Sequence, residues 1–316
     1  MRHYKFFLLI LLLVSRVPTA AQDADSPLLS QVETELTFED SLSIFSLIDS
    51  LLEQGSLTSS QLALRLTYNS NVTSTGRTLG IQNFGLSPGL SYYHKSGFYG
   101  DISGYWSKDF DPSYYLTVAS VGYMRDFSKH FSVLAGYDHY FYRVGEDNYV
   151  PYKNAISVSP TLELKPLALT ATYSFYFGDA YANRIMPGLN LILEKKKLFN
   201  IDRVAISPAF FLLLGDEKLT EIEYVAPQSA AEAVQNYRKY GTRFRLVQHD
   251  MTVFGVMNYA ISIPLTVNHK NWGFAFSYTY NIPKALPGEV LTLSESSYLS
   301  GSLTYFIGLN RNKLPL

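Results

Sequence analysis

The chain has 316 residues, no cysteine and a formal charge of −1, and it carries 25 tyrosines and 20 phenylalanines. The lack of cysteine excludes a disulfide framework, thiolate metal sites and a lipid anchor on a processed N-terminal cysteine, and the near-neutral charge leaves no footprint for nucleic acid. An aromatic content of 15% within an ordinary apolar content of 47% suits an all-β protein with aromatic girdles better than a soluble α/β enzyme.

Residues 1–21 read as a cleaved secretory signal: MRHYK is a basic start, FFLLILLLV an apolar stretch too short to span a bilayer, and SRVPTAA a small-residue exit. Its removal takes Arg2, Lys5 and Arg16 with it and leaves 23 basic against 27 acidic residues, a mature charge of −4. Residues 22–60 form a periplasmic N-terminal segment, polar and unpatterned up to residue 36. A helix is expected over about 38–54, with a stripe of Ile44, Phe45, Leu47, Ile48, Leu51 and Leu52. Thr37 with Asp40 resembles a capping box, and Gly55 stops the helix. So short a helix is not stable alone in water, so its stripe must dock in a lumen as a plug, on the inner leaflet, or on a periplasmic or membrane protein partner. The other face lacks the Lys/Arg of a membrane-surface helix, which favours plug or partner.

From residue 61 the period changes to two, the signature of strands. Twelve segments follow, at 61–70, 86–94, 98–107, 114–126, 131–143, 154–165, 167–178, 185–195, 200–214, 252–268, 272–282 and 297–309, ahead of a tail at 311–316. Short turns (94–97, 126–131, 165–166, 195–200, 268–273) alternate with longer connections (71–85, 108–113, 144–153, 179–184, 215–251, 283–296). An even strand count with this alternation predicts a twelve-stranded antiparallel transmembrane β-barrel over 61–310, with its short turns on the periplasmic side. Every short turn carries lysine, suited to anionic headgroups of the inner leaflet. Five in-strand prolines, at 88, 160, 187, 208 and 264, each remove a ladder hydrogen bond and call for a bulge or a locally opened pair. In the long loop, Ser229 with Glu232 and a later Gly241 predict a short helix over 230–240. Arg238, Lys239, Arg243 and Arg245 follow closely, suited to lipopolysaccharide phosphates.

The segments DSLSIFSLIDSLL, LSPGLSYYHKSGFYGDISGYWS, NRIMPGLNL and YTYNIPKALPGE resemble an uncharacterised family of outer-membrane β-barrel proteins of the Bacteroidota. The resemblance covers nearly the whole mature chain. It implies a barrel in a bacterial outer membrane and assigns no activity.

Placing the small face of each strand inward puts Arg65, Asp101, Asp138, Glu163, Glu194 and Arg203 in the lumen, together with Tyr105 and Tyr140. In a wet lumen these charges form a constriction that sorts solutes, whereas in a dry one they must pair with one another. No nucleotide-binding loop, metal-ligand spacing or cofactor motif occurs. His94, His130 and His269 fall in the short turns, and Asp138 and His139 point to opposite faces, so no catalytic constellation is expected. Three readings follow. The first is a channel or plugged pore for a small hydrophilic solute. The second is a non-conducting assembly barrel that holds a partner through residues 38–54, and the third is a lipid-modifying enzyme.

Overall fold

The computed structural model describes residues 59–70, 85–108, 111–143, 152–289 and 293–309, except for the side chains of 218–223, 246 and 248–250. The expected signal at 1–21, the helix at 38–54 and the tail at 311–316 lie outside these residues. The described strands are β1 (Gln61–Asn69), β2 (Gly85–Tyr93), β3 (Phe98–Trp106), β4 (Tyr114–Asp126), β5 (Phe131–Tyr142), β6 (Tyr152–Leu164), β7 (Leu167–Gly178), β8 (Tyr181–Leu191), β9 (Leu193–Leu198), β10 (Ile201–Ile206), β11 (Ala209–Val225), β12 (Arg245–His269), β13 (Trp272–Pro283) and β14 (Ser296–Gly308). Helix α1 (Ala230–Tyr240) stands between β11 and β12.

Each strand from β1 to β8 pairs antiparallel with the next; β1 also pairs with β14, β14 with β13 and β13 with β12. Pairing of β12 with β11 and of β11 with β8 closes the ring. The fourteen segments make twelve staves. β8 and β9 are one stave interrupted at Ile192, and β10 and β11 are one stave interrupted at Ser207-Pro208. One register runs through both breaks: Phe210 faces Leu189 and Ile206 faces Leu193, a constant offset along the two chains.

Alternation then decides which side chains see the outside. On β1, Ala63, Arg65, Thr67 and Asn69 are buried while Leu64, Leu66 and Tyr68 are exposed. The same holds on β7, where Leu167, Leu169 and Tyr173 face out, and on β13, where Trp272, Phe274, Phe276 and Tyr278 do. In a closed ring the buried face is the inner one, so the bulky apolar residues form the outer surface.

Four of the five prolines sit where a ladder opens on one side only, and Pro208 sits where both do. Between β2 and β3, pairing skips from Leu86 to Gly89 around Pro88, and between β6 and β7 it skips from Val158 to Thr161 around Pro160. Pro187 remains paired with Ala171 of β7 but has no partner in β11. Pro208 and Pro264 share one gap, bridged by Ser207 N–H donating to the carbonyl of Pro264 at 2.9 Å. Pro88, Pro160, Pro187 and Pro264 therefore open one ladder where proline has no bond to give while the other ladder holds the strand, and at Pro208 the carbonyl accepts from Leu191 N–H at 2.9 Å.

Two expected boundaries change. The connection expected at 179–184 is only Asp179-Ala180, because β8 begins at Tyr181. About half of the loop expected over 215–251 is strand: β11 runs on to Val225 and β12 starts at Arg245, in one ribbon with a bulge at Leu213/Leu214. Residues 216–225 carry charge on both faces, so they show no alternation of apolar and polar residues to mark them as strand. The tip helix forms as its caps specify. Ser229 Oγ accepts from Glu232 N–H, Glu232 Oε2 accepts from Gln228 N–H, and Gly241 takes the left-handed conformation (φ 71°) with its N–H on Tyr237 O.

Inside the ring, the Tyr99 ring lies across Gly122 of β4 and Gly136 of β5, which the register aligns with it. A Cβ at Gly122 would meet both the Tyr99 ring and the backbone oxygen of Ala135. Gly122→Val is therefore expected to destabilise the barrel by about 1–3 kcal/mol. Urea unfolding in detergent checks this, and adding Tyr99→Leu should return part of the loss.

Candidate functional site

The inner wall is polar, and its charges are organised by register. Arg65 on β1 lies opposite Gly89 of β2. Because Gly89 has no side chain, the guanidinium passes over β2 and reaches β3. A Cβ there would sit 3.0 Å from Arg65 Nη2 and 2.9 Å from Ser103 Oγ. Arg65 Nη2 donates to Ser103 Oγ at 2.8 Å and approaches Asp101 Oδ1 at 3.3 Å. The hydroxyls of Ser91 and Ser103 also donate to Asp101, the latter at 2.7 Å. Both members of the ion pair are nearly fully buried (6% and 5% exposed), so the hydroxyls help to replace the water that Asp101 has lost.

Asp138, on the inner face of β5, accepts from Ser120 of β4 and meets no cation among the described residues. Tyr105 and Tyr140 belong to a buried cluster with Tyr115, Leu116, Val118 and Ala155, against which Tyr142 and Tyr176 pack. This cluster occupies the β3–β6 flank of the interior.

At the short-turn end four charged groups meet in a chain. Lys165 Nζ bridges Glu163 at 3.3 Å and Glu194 at 3.2 Å, and Arg203 Nε donates to Glu194 Oε2 at 3.1 Å. Arg203 is buried, whereas Lys165 is half exposed. Burial pulls the Lys165 pKa down, but the hydrogen bonds and charges of Glu194 and Glu163 together pull harder the other way, so its ammonium titrates above the ordinary lysine value.

The eight sequence-predicted inner residues thus divide into Arg65 with Asp101, Glu163 and Glu194 with Arg203 through Lys165, the two tyrosines in their cluster, and Asp138 apart from any cation. One further group was missed. Arg184 of β8 is buried, with Nη2 at 3.2 Å from Glu217 Oε2 and Nη1 at 3.5 Å from Asp216 Oδ1 of β11. Asp216 also accepts from Asn183 N–H at 2.5 Å and Asn183 Nδ2 at 2.7 Å. Extending the period of two back from Ile185 would have found Arg184, since Ala182, Arg184 and Met186 form the buried face there.

Histidine chemistry has little support among the described residues. His139 faces outward, 2.7 Å from Asn154 Oδ1 and edge-on to Phe141. His94 Nδ1 lies 2.6 Å from Ser96 Oγ and also accepts from Ser96 N–H at 3.3 Å. That contact closes the turn between β2 and β3, and no carboxylate orients the imidazole. No group of three or more His, Asp or Glu could hold a metal among the described residues, and no helix there is long and apolar enough to cross a membrane.

No protein-family model and no curated protein matches the chain. Among solved structures, the KdgM porin overlaps 78% of this chain and 98% of its own, with 9% identity and a TM-score of 0.41. The NanC porin overlaps 77% and 98%, with 10% identity and a TM-score of 0.39. OccAB1 of Acinetobacter baumannii overlaps 80% and 97%, with 9% identity and a TM-score of 0.31. The closure of this ring stands on its own strand pairings.

The two ion-pair groups differ in what they do for stability. Asp101→Ala leaves Arg65 buried and short of its carboxylate, and is expected to lower stability by about 3 kcal/mol. Lys165→Ala removes a half-exposed, solvent-screened partner and should cost less than about 1 kcal/mol. Urea unfolding of the two variants side by side measures the difference.

Proposed function

We propose that this chain is an outer-membrane β-barrel that forms a channel, or a plugged pore, for a small hydrophilic solute. The observation that carries the reading is the polarity of the closed ring, apolar outside and polar inside. Leu64, Leu66, Ile102, Phe141, Leu169 and Phe274 are each about half exposed on strands from around the ring. A water-soluble barrel or sandwich would turn those side chains inward, and an outer surface this apolar fits a lipid environment. The signal-like residues 1–21 agree with export. In this reading the short turns lie in the periplasm, with their lysines near the inner leaflet. The α1 tip then lies outside, where Arg238, Lys239, Arg243 and Arg245 face lipopolysaccharide phosphates. No enzymatic activity is proposed.

A second reading is a non-conducting assembly barrel that holds a periplasmic or membrane partner through residues 38–54. The compact tyrosine cluster on one flank of the interior favours it, since packed side chains narrow a passage.

Planar-bilayer recordings of the mature chain, with and without residues 22–57, separate the two. Current steps from both forms mean an open channel, and steps from the shortened form alone mean a plug. Silence from both, with a partner co-purifying only when the 38–54 stripe is intact, would sink the channel reading.

A further inference from the structure

We infer that Asp138 makes the interior of this barrel cation-selective and holds a permeating cation, either an alkali ion or the ammonium group of a solute. The inference rests on the channel reading above. The register places Ser91, Asp101, Ser120 and Asp138 in one row on neighbouring strands, hydroxyl and carboxylate in turn. The two carboxylates stand two strand spacings apart, about 10 Å. Their surroundings differ. Asp101 has Arg65 and two serine hydroxyls, as described above. Asp138 has the Ser120 hydroxyl, and among the described residues the charge that acts on it is the like charge of Asp101. The inner arginines are engaged elsewhere: Arg65 with Asp101, Arg184 with Asp216 and Glu217, Arg203 with Glu194.

A second observation points to the same place. Tyr140 stands two residues on along the same face of β5, close enough for Asp138 to act on its hydroxyl electrostatically. Its hydroxyl oxygen is buried and has no hydrogen-bond partner. A carboxylate, a serine oxygen and a partnerless phenol oxygen together form an oxygen-rich wall. Hard cations and N–H donors find acceptors there, and the carboxylate's charge repels anions. A carboxylate on a largely buried wall is unfavourable without a counter-charge, and a cation in the lumen supplies one.

The test is the reversal potential of the full mature protein in a planar bilayer across a potassium chloride gradient. Wild type should pass potassium in preference to chloride. Asp138→Asn, which keeps shape and removes charge, should lower that permeability ratio by about fivefold, the factor a unit charge exerts at about 4 Å through water. Asp138→Glu should keep most of the preference. Should the asparagine variant fail to show the heat-modifiable mobility of a folded barrel, Asp138→Ser gives the same reading. A conducting wild type without cation preference, or one whose ratio is unmoved by these charge-removing variants, overturns the inference and leaves the channel standing. Where only the form lacking residues 22–57 conducts, the same ratios are read in that form; silence from both forms overturns the channel reading and this inference with it.

Discussion

Everything in this molecule depends on ring closure. A strand pair left open in lipid would expose a row of backbone N–H and C=O groups with nothing to bond to, which hydrocarbon does not tolerate. One contact between sequence-distant strands prevents this, β1 with β14, while β8 with β11 carries the last hairpin's pairing past the interruption of its staves. The prolines are compatible with closure because four of them open a ladder on one side only, and single backbone bonds, Leu191 N–H to Pro208 O and Ser207 N–H to Pro264 O, span the break around Pro208. Each opened step skips only two residues, so no seam runs the length of the wall.

Closure also sets the chemistry of the interior. Once the bulky residues face outward, the inner wall receives whatever alternates with them, here mostly Ser, Thr, Asn, Gly and a few charges. Hydroxyl and amide pairs then bridge neighbouring strands: Ser262 with Thr279 at 3.0 Å, Ser277 with Ser300 at 2.9 Å, and Asn258 with Asn281 at 2.9 Å. Glycine is what lets long inner side chains lie flat. Arg65 crosses at Gly89 and Tyr99 lies over Gly122 and Gly136, so glycine placement governs the shape of the interior as much as the charged residues do.

The strand count, the faces and most of the short turns were legible because an antiparallel sheet with one apolar face writes its period directly into sequence. The α1 caps were legible for a similar reason, since Ser229, Glu232 and Gly241 act locally. Legibility failed where two-sided polarity erased the period. Residues 216–225 carry DEKLTEIEYV, which reads as a loop, and only pairing with the distant 245–254 makes it a strand. Arg184 was lost because it stood in the expected connection at 179–184, although the period of two runs on through Ala182 and Arg184, and its partners Asp216 and Glu217 stood in the segment taken for loop. Arg65 with Asp101 could be placed on one face, but their contact depends on the offset between β1 and β3 and on the glycine between them.

The interrupted staves also have a consequence for how the barrel sits among its neighbours. β10 with β11, and β12 beside them, each run through about 25 residues, roughly 80 Å of extended chain, whereas β1 has nine residues, roughly 30 Å. The excess emerges at both ends of the same sector, as the β9–β10 hairpin at one end and the α1-tipped ribbon at the other. The wall is a tube with a keel. Turning it about its own axis changes which neighbour meets the tall side, so the wall itself carries a compass bearing.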